Sequence, residues 1–107
     1  MQLNEMTCKA CSGGVPILTE EEMAPLLVQV PLWQLMDFHH LFRAIKFPNF
    51  IQALEAVNRI GALAEAQGHH PDLLLRWGEV QITIFTHKVN GVTEADFVLA
   101  AHIDQLV

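Results

Sequence analysis

The stretch Glu65-Ala66-Gln67-Gly68-His69-His70-Pro71 decides the fold, because the hydrophobic period changes across it. Before it, Phe50, Leu54, Val57, Ile60, Gly61 and Ala64 recur at helical spacing, with Asn49 placed to cap the helix and Gln52 at its third position. After it, from Leu73 onward, apolar residues fall at strand spacing. Gly68 is the natural left-handed residue at a helix end, and Pro71 cannot continue a helix. A long helix therefore stops at Gly68 and delivers Glu65 to its last turn, while His69 and His70 fall in the turn that leads into a strand. Gly61 and the alanines predict close packing of this helix onto a sheet. Ile51 and Leu63 widen its apolar side, as a subunit contact would require.

Downstream, residues 73–77 read as a strand, Gly78-Glu79 as a turn and residues 80–89 as a second strand. Val80, Ile82 and Ile84 share one face of it, and Gln81, Thr83, Phe85 and His87 the other. Asn90-Gly91 makes the exit turn. Thr93-Glu94-Ala95-Asp96 is a capping box that starts a last helix running to about Leu106, with Phe97, Ala100, Ala101 and Asp104 on successive turns. Upstream, Thr19-Glu20-Glu21-Glu22 is another capping box, and a helix is predicted over residues 20–29. Pro25 predicts a kink or a shortening of that helix. Residues 33–38 and 41–47 read as two strands joined by a turn near residues 37–40, without the usual Asn-Gly. The pair His39-His40 in this turn is either solvated or a second metal or catalytic element. The order is α-β-β-α-β-β-α. It predicts an α+β domain, a four-stranded antiparallel sheet with helices packed on one face, over residues 19–107, preceded by an arm over residues 1–18.

Composition bounds the function. The chain has 107 residues, 51% of them hydrophobic, which is one domain with enough apolar residues for a core. A domain of this size keeps a large surface for its volume, so oligomerisation would stabilise it. The formal net charge is −6 and the cations are scattered singly, which argues against a nucleic-acid partner. No apolar run approaches the ~18 residues of a membrane span, and residues 1–6 lack the basic and apolar regions of a secretory signal. A cytoplasmic location is the expectation. Cys8-Lys9-Ala10-Cys11 leaves three readings: reduced thiols on a flexible arm, half of a metal site shared with a partner, or a redox pair. Gly13, Gly14 and Pro16 forbid the helix that a thioredoxin-like pair should open.

Three of the six histidines, His69, His70 and His87, stand at predicted element ends. The simplest reading makes them hydrogen-bonded turn residues. A metal site built from them and Glu65 is a second reading, although adjacent His69 and His70 diverge from an extended segment, and no metal ligand is assigned. Acid–base chemistry is the third, because imidazole titrates near neutral pH and a carboxylate such as Glu65 can fix a ring's tautomer.

The spacing adds to this. Glu65, three residues, His69-His70-Pro71, five residues, Trp77, nine residues, His87, eight residues and Asp96 together resemble the active-site pattern of the pterin-4a-carbinolamine dehydratase (4a-hydroxytetrahydrobiopterin dehydratase) family. Thr19-Glu20-Glu21-Glu22, Trp33, Phe47-Pro48-Asn49-Phe50 and the arm with Cys8, Cys11 and Gly13-Gly14-Val15-Pro16 extend the resemblance over nearly the whole chain. One departure is Leu73, where family members often carry a large aromatic. The resemblance implies a cofactor-independent dehydratase acting on a 4a-hydroxytetrahydropterin left by an aromatic amino-acid hydroxylase, and a homodimer or homotetramer. It implies His69 and His87 as the proton-transfer pair, His70 as a binding or assisting group, Glu65 as an orienting carboxylate, and Trp77 and Asp96 at the substrate. Asp96 also has a complete structural explanation as a helix cap, and Trp77 one as a core residue. Relatives of the family that act as dimerisation cofactors make a noncatalytic interaction module the alternative.

Overall fold

The computed structural model describes Leu3 and residues 17–107; Cys8 and Cys11 lie outside the described residues. Three helices and four strands follow the predicted order: α1 (Glu20–Gln29), β1 (Gln34–Met36), β2 (His40–Lys46), α2 (Phe50–Gln67), β3 (Asp72–Arg76), β4 (Glu79–Ile84) and α3 (Glu94–Leu106). The strands form one antiparallel sheet in the order β1-β2-β4-β3. Pairs such as Leu41↔Ile84, Leu73↔Ile82 and Leu75↔Val80 align the aliphatic residues on one face. That face packs against α2 and α3. Phe97, Leu99, Ile60, Ile82 and Ile84 are fully buried between the layers. Each such side chain stabilises the fold by roughly 1.5–3 kcal/mol.

The local signals explain the element ends. In α1 the backbone N–H of Glu22 donates to Thr19 Oγ1 at 3.2 Å, and that of Thr19 donates to Glu22 Oε1 at 2.9 Å. The helix keeps its 10 residues through Pro25. Both Pro25 and Glu21 are exposed, so the Glu21 carbonyl that loses its partner can take water. In α2, Asn49 Oδ1 accepts from the Gln52 N–H at 2.9 Å, and Gly68 ends the helix at φ 68°. The buried stripe of α2 is Ala53, Ala56, Ile60 and Ala64. It is rotated from the predicted one: Phe50 is exposed, and Leu54 and Val57 are half-buried. The small side chains let the helix lie close to the sheet. Gly61 takes no part in this, since a Cβ there would meet nothing within 4 Å.

Two predicted strands shorten. The first strand covers three residues, not six, because Trp33 turns inward ahead of it. Trp33 is buried, and its indole N–H donates to Asp104 Oδ1 at 2.8 Å; Arg43 pairs with the same carboxylate. The β1–β2 turn is closed by Asp37 (φ 54°) and Phe38 (φ 52°), with the His39 N–H donating to the Met36 carbonyl at 2.9 Å. Two left-handed residues in the middle of such a turn match the twist of a hairpin. Without glycine they cost about 1–2 kcal/mol each. The last strand ends at Ile84 instead of residue 89. Residues 86–91 form a turn closed by a bridge between Thr86 and Gly91. Leu3, from the predicted arm, is buried, and its N–H donates to Gln29 Oε1 at 3.0 Å. Among the described residues no helix is long and apolar enough to cross a membrane.

Candidate active site

Glu65, His69, His70, His87 and Asp96 lie at the C-terminal end of α2, after the end of β4 and in the first turn of α3, and Asp96 joins the three places through His69 and Thr86. His69 follows the Gly68 cap, and its N–H donates to the Ala64 carbonyl at 3.2 Å, which fixes the backbone that carries the ring. Its side chain is buried, and Nε2 lies 2.5 Å from Asp96 Oδ1. Nε2 is the donor in that bond. A neutral His69 ring therefore carries its proton on Nε2 and presents Nδ1 as its lone pair.

Asp96 is 0% exposed. Its second oxygen, Oδ2, accepts from the Thr93 N–H at 2.7 Å and from the Thr86 hydroxyl at 2.9 Å. Thr86 Oγ1 and Thr93 Oγ1 lie 2.8 Å apart. Since Thr86 gives its one hydroxyl proton to Asp96, Thr93 donates to Thr86. The carboxylate thus receives donors on both oxygens, which is the bonding an ionised carboxylate needs when it is removed from water. Among the described residues no buried side-chain nitrogen or oxygen lacks a partner. Asp96 thus does two things at once: Oδ2 caps α3, and Oδ1 holds His69. Its side chain has no exposed surface.

Glu65 meets an imidazole, as expected, and that imidazole is His70. Its Oε1 lies 2.7 Å from His70 Nε2, and both side chains are solvent-exposed, 81% and 62%. The buried carboxylate on His69 is Asp96, 27 residues downstream. His87 lies in the turn over residues 86–91, not on a strand, and is exposed. Its ring rests on Phe85, with centroids 4.2 Å apart. Thr86, the residue before it, is hydrogen-bonded to Asp96, so the His87 turn and the His69 ring share one anchor.

Trp77 is not brought to this cluster. It is 69% exposed in the β3–β4 turn. His70 precedes β3 and Trp77 follows it, so the five residues of β3 separate them by about 17 Å of extended chain. Trp77 thus neither packs in the core nor touches the histidines of its own chain. Leu73 packs against the core, as its position predicts. Among the described residues no three His, Cys, Asp or Glu side chains converge as a metal cage.

Thr86 and Thr93 are the site residues that sequence reading missed. Thr93 was visible only as a cap. Thr86 carries no local signal, because its role depends on β4 ending beside α3. The indirect cue was the capping box itself: an Asp at the third helical position has an oxygen left over once one caps.

A family model described as pterin 4 alpha carbinolamine dehydratase matches residues 16–106. A Rubrobacter xylanophilus protein with a provisional pterin-4-alpha-carbinolamine dehydratase name is 52% identical over 105 residues, 98% of each chain. One from Alkaliphilus metalliredigens, with the same provisional name, is 49% identical over 104 residues, 96% of this chain and 94% of that one. Among solved structures, a transcriptional coactivator/pterin dehydratase from Brucella melitensis superposes with a TM-score of 0.79 at 33% identity, covering 85% of this chain and 98% of that one. A pterin dehydratase-like protein identified as a RuBisCO assembly factor in the alpha-carboxysome superposes with a TM-score of 0.57 at 27% identity, covering 69% of this chain and 84% of that one. By the family match and the full-length identities, the chain belongs to the pterin 4 alpha carbinolamine dehydratase family.

Proposed function

We propose that the protein dehydrates a 4a-hydroxytetrahydropterin to the quinonoid dihydropterin and water by histidine acid–base catalysis, without a cofactor. The observation that carries this reading is the buried Asp96–His69 pair, tied through Thr86 to the His87 turn. The reaction breaks the C4a–O bond and removes the N5 proton. The electron pair released at N5 forms the C4a=N5 double bond, and the hydroxyl leaves as water once an acid has protonated it. His69 suits the base: Asp96 commits its Nε2 proton, and Nδ1 is free to accept. His87, exposed and next in sequence to Thr86, suits the acid. His70, hydrogen-bonded to Glu65, suits binding or assistance. In this reading the substrate comes from an aromatic amino-acid hydroxylation and the product returns to tetrahydrobiopterin recycling, in the cytoplasm. The subunits form a homodimer or homotetramer.

Stopped-flow dehydration of 4a-hydroxytetrahydropterin tests it. Wild type should exceed buffer, and His69→Ala or His87→Ala should lose about 10²–10⁴ of the rate. Wild type no faster than buffer overturns the proposal. A noncatalytic interaction role is the second reading. Exposed Phe50 and Ile51 on α2 and the coactivator and assembly-factor titles of the two superposed structures favour it. A stable complex with a regulator together with negligible turnover would select it.

A further inference from the structure

We propose that His39, outside the family's site pattern, is a positioning residue for His87; this rests on the dehydratase reading above. The antiparallel pairing of β2 and β4 ends at Leu41↔Ile84, so the chain just before β2 lies beside the chain just after β4. His39 sits at that junction and touches the 86–91 turn at one point and Phe85, the residue before it, at another. Its Nε2–H donates to Asn90 Oδ1 at 2.8 Å. Its ring lies 4.7 Å from the Phe85 ring, on which His87 rests at 4.2 Å. Asn90 is the left-handed residue of the turn (φ 53°), and its N–H donates to the His87 carbonyl at 3.2 Å. One side chain therefore braces both the backbone that carries His87 and the surface its imidazole packs on.

His39 is itself held. With Nε2 donating, the neutral ring accepts at Nδ1, and His40 Nδ1 lies 3.1 Å away to donate. The left-handed pair Asp37 and Phe38 sets the turn that presents it. Strain of this kind persists only where the surrounding structure over-determines it. The two ends of the 86–91 turn are joined by the Thr86–Gly91 bridge, and Asp96 holds Thr86. His39 adds a side-chain hold at Asn90, inside that bridge. An exposed imidazole that must deliver a proton gains from being held, because misplacement at a reacting centre is costly.

The test uses the whole chain. His39→Ala should lower kcat about three- to tenfold with KM little changed. It should also shift the His87 ring resonances in a histidine-detected NMR spectrum. His39→Gln, whose amide N–H reaches toward Asn90, should recover part of both. In a His87→Ala background, His39→Ala should have no further effect on rate. Unchanged His87 resonances in a folded His39→Ala protein, or a full additive loss on top of His87→Ala, would overturn the proposal. If wild type shows no dehydration at all, the catalytic reading fails, and the NMR measurement alone then decides whether His39 holds the His87 ring.

Discussion

His69 and Asp96 meet at 2.5 Å with their side chains 6% and 0% exposed. A buried carboxylate bonded to one imidazole nitrogen dictates which nitrogen carries the proton and which the lone pair. The other Asp96 oxygen anchors the start of α3 and, through Thr86, the start of the His87 turn. The His69 tautomer and the capping of α3 thus rest on the same side chain.

Asp96→Asn separates the two. The amide keeps the volume but brings its own N–H₂ into a site where every neighbour is a donor. One oxygen position is replaced, and either His69 or the Thr93 and Thr86 donors lose their acceptor. We expect a stability loss of about 1–3 kcal/mol by urea unfolding. We also expect kcat to fall about a hundredfold or more. Ring nitrogen shifts of His69 should show loss of the Nε2–H tautomer, which a purely structural role would leave unchanged.

Thr86→Val tests the anchor. Valine has the same shape, so the packing is conserved while the hydroxyl is removed. Asp96 Oδ2 keeps the Thr93 N–H, and the Thr93 hydroxyl exchanges its 2.8 Å bond to Thr86 for the 3.5 Å contact with Asp96 Oδ2. A destabilisation of about 1–3 kcal/mol is expected from these buried, unmade bonds. Thr86→Ser should restore most of it. Equal unfolding midpoints for Val and wild type would remove Thr86 from the network.

Glu79 should govern part of the acid sensitivity. On the open face of the sheet it bonds Lys46 at 2.8 Å and accepts from Gln81 at 3.1 Å. The Lys46 ammonium is the larger cause, and the two hold the carboxyl below its ordinary value of 4.5. A lowered folded-state pKa means stability that is present above 4.5 and lost as pH falls through the folded value. Glu79→Gln should therefore be less stable than wild type at neutral pH. The difference should close on acidification, in denaturation curves taken as a pH series. Because Lys46 is largely exposed, added salt should shrink the neutral-pH difference as well.

The chain order of elements was written in local signals. Asn49 and Gly68 bound α2, the Thr19 and Thr93 boxes start α1 and α3, and alternation in 80–84 fixes the aliphatic face of β4. Such signals work because caps and side-chain periods involve residues within one or two turns of each other. The pattern from Glu65 to Asp96 also named residues that the fold joins, His69 with Asp96 and His70 with Glu65. Sequence could not say which carboxylate serves which imidazole. Glu65 is nearer to His69 in the chain, yet Asp96 holds it, because α3 packs on α2 and brings its first turn to the His69 ring. It could not end β4 at Ile84, since residues 85–89 keep strand composition but have no partner strand beyond Leu41. Nor could it place Trp77, which a hairpin carries away from the histidines, or give His39 a role, which only the β2–β4 pairing creates. Elements follow from short-range physics; the assignment of donors to acceptors at the His69–Asp96 site waits on which chain ends the sheet and helices bring together.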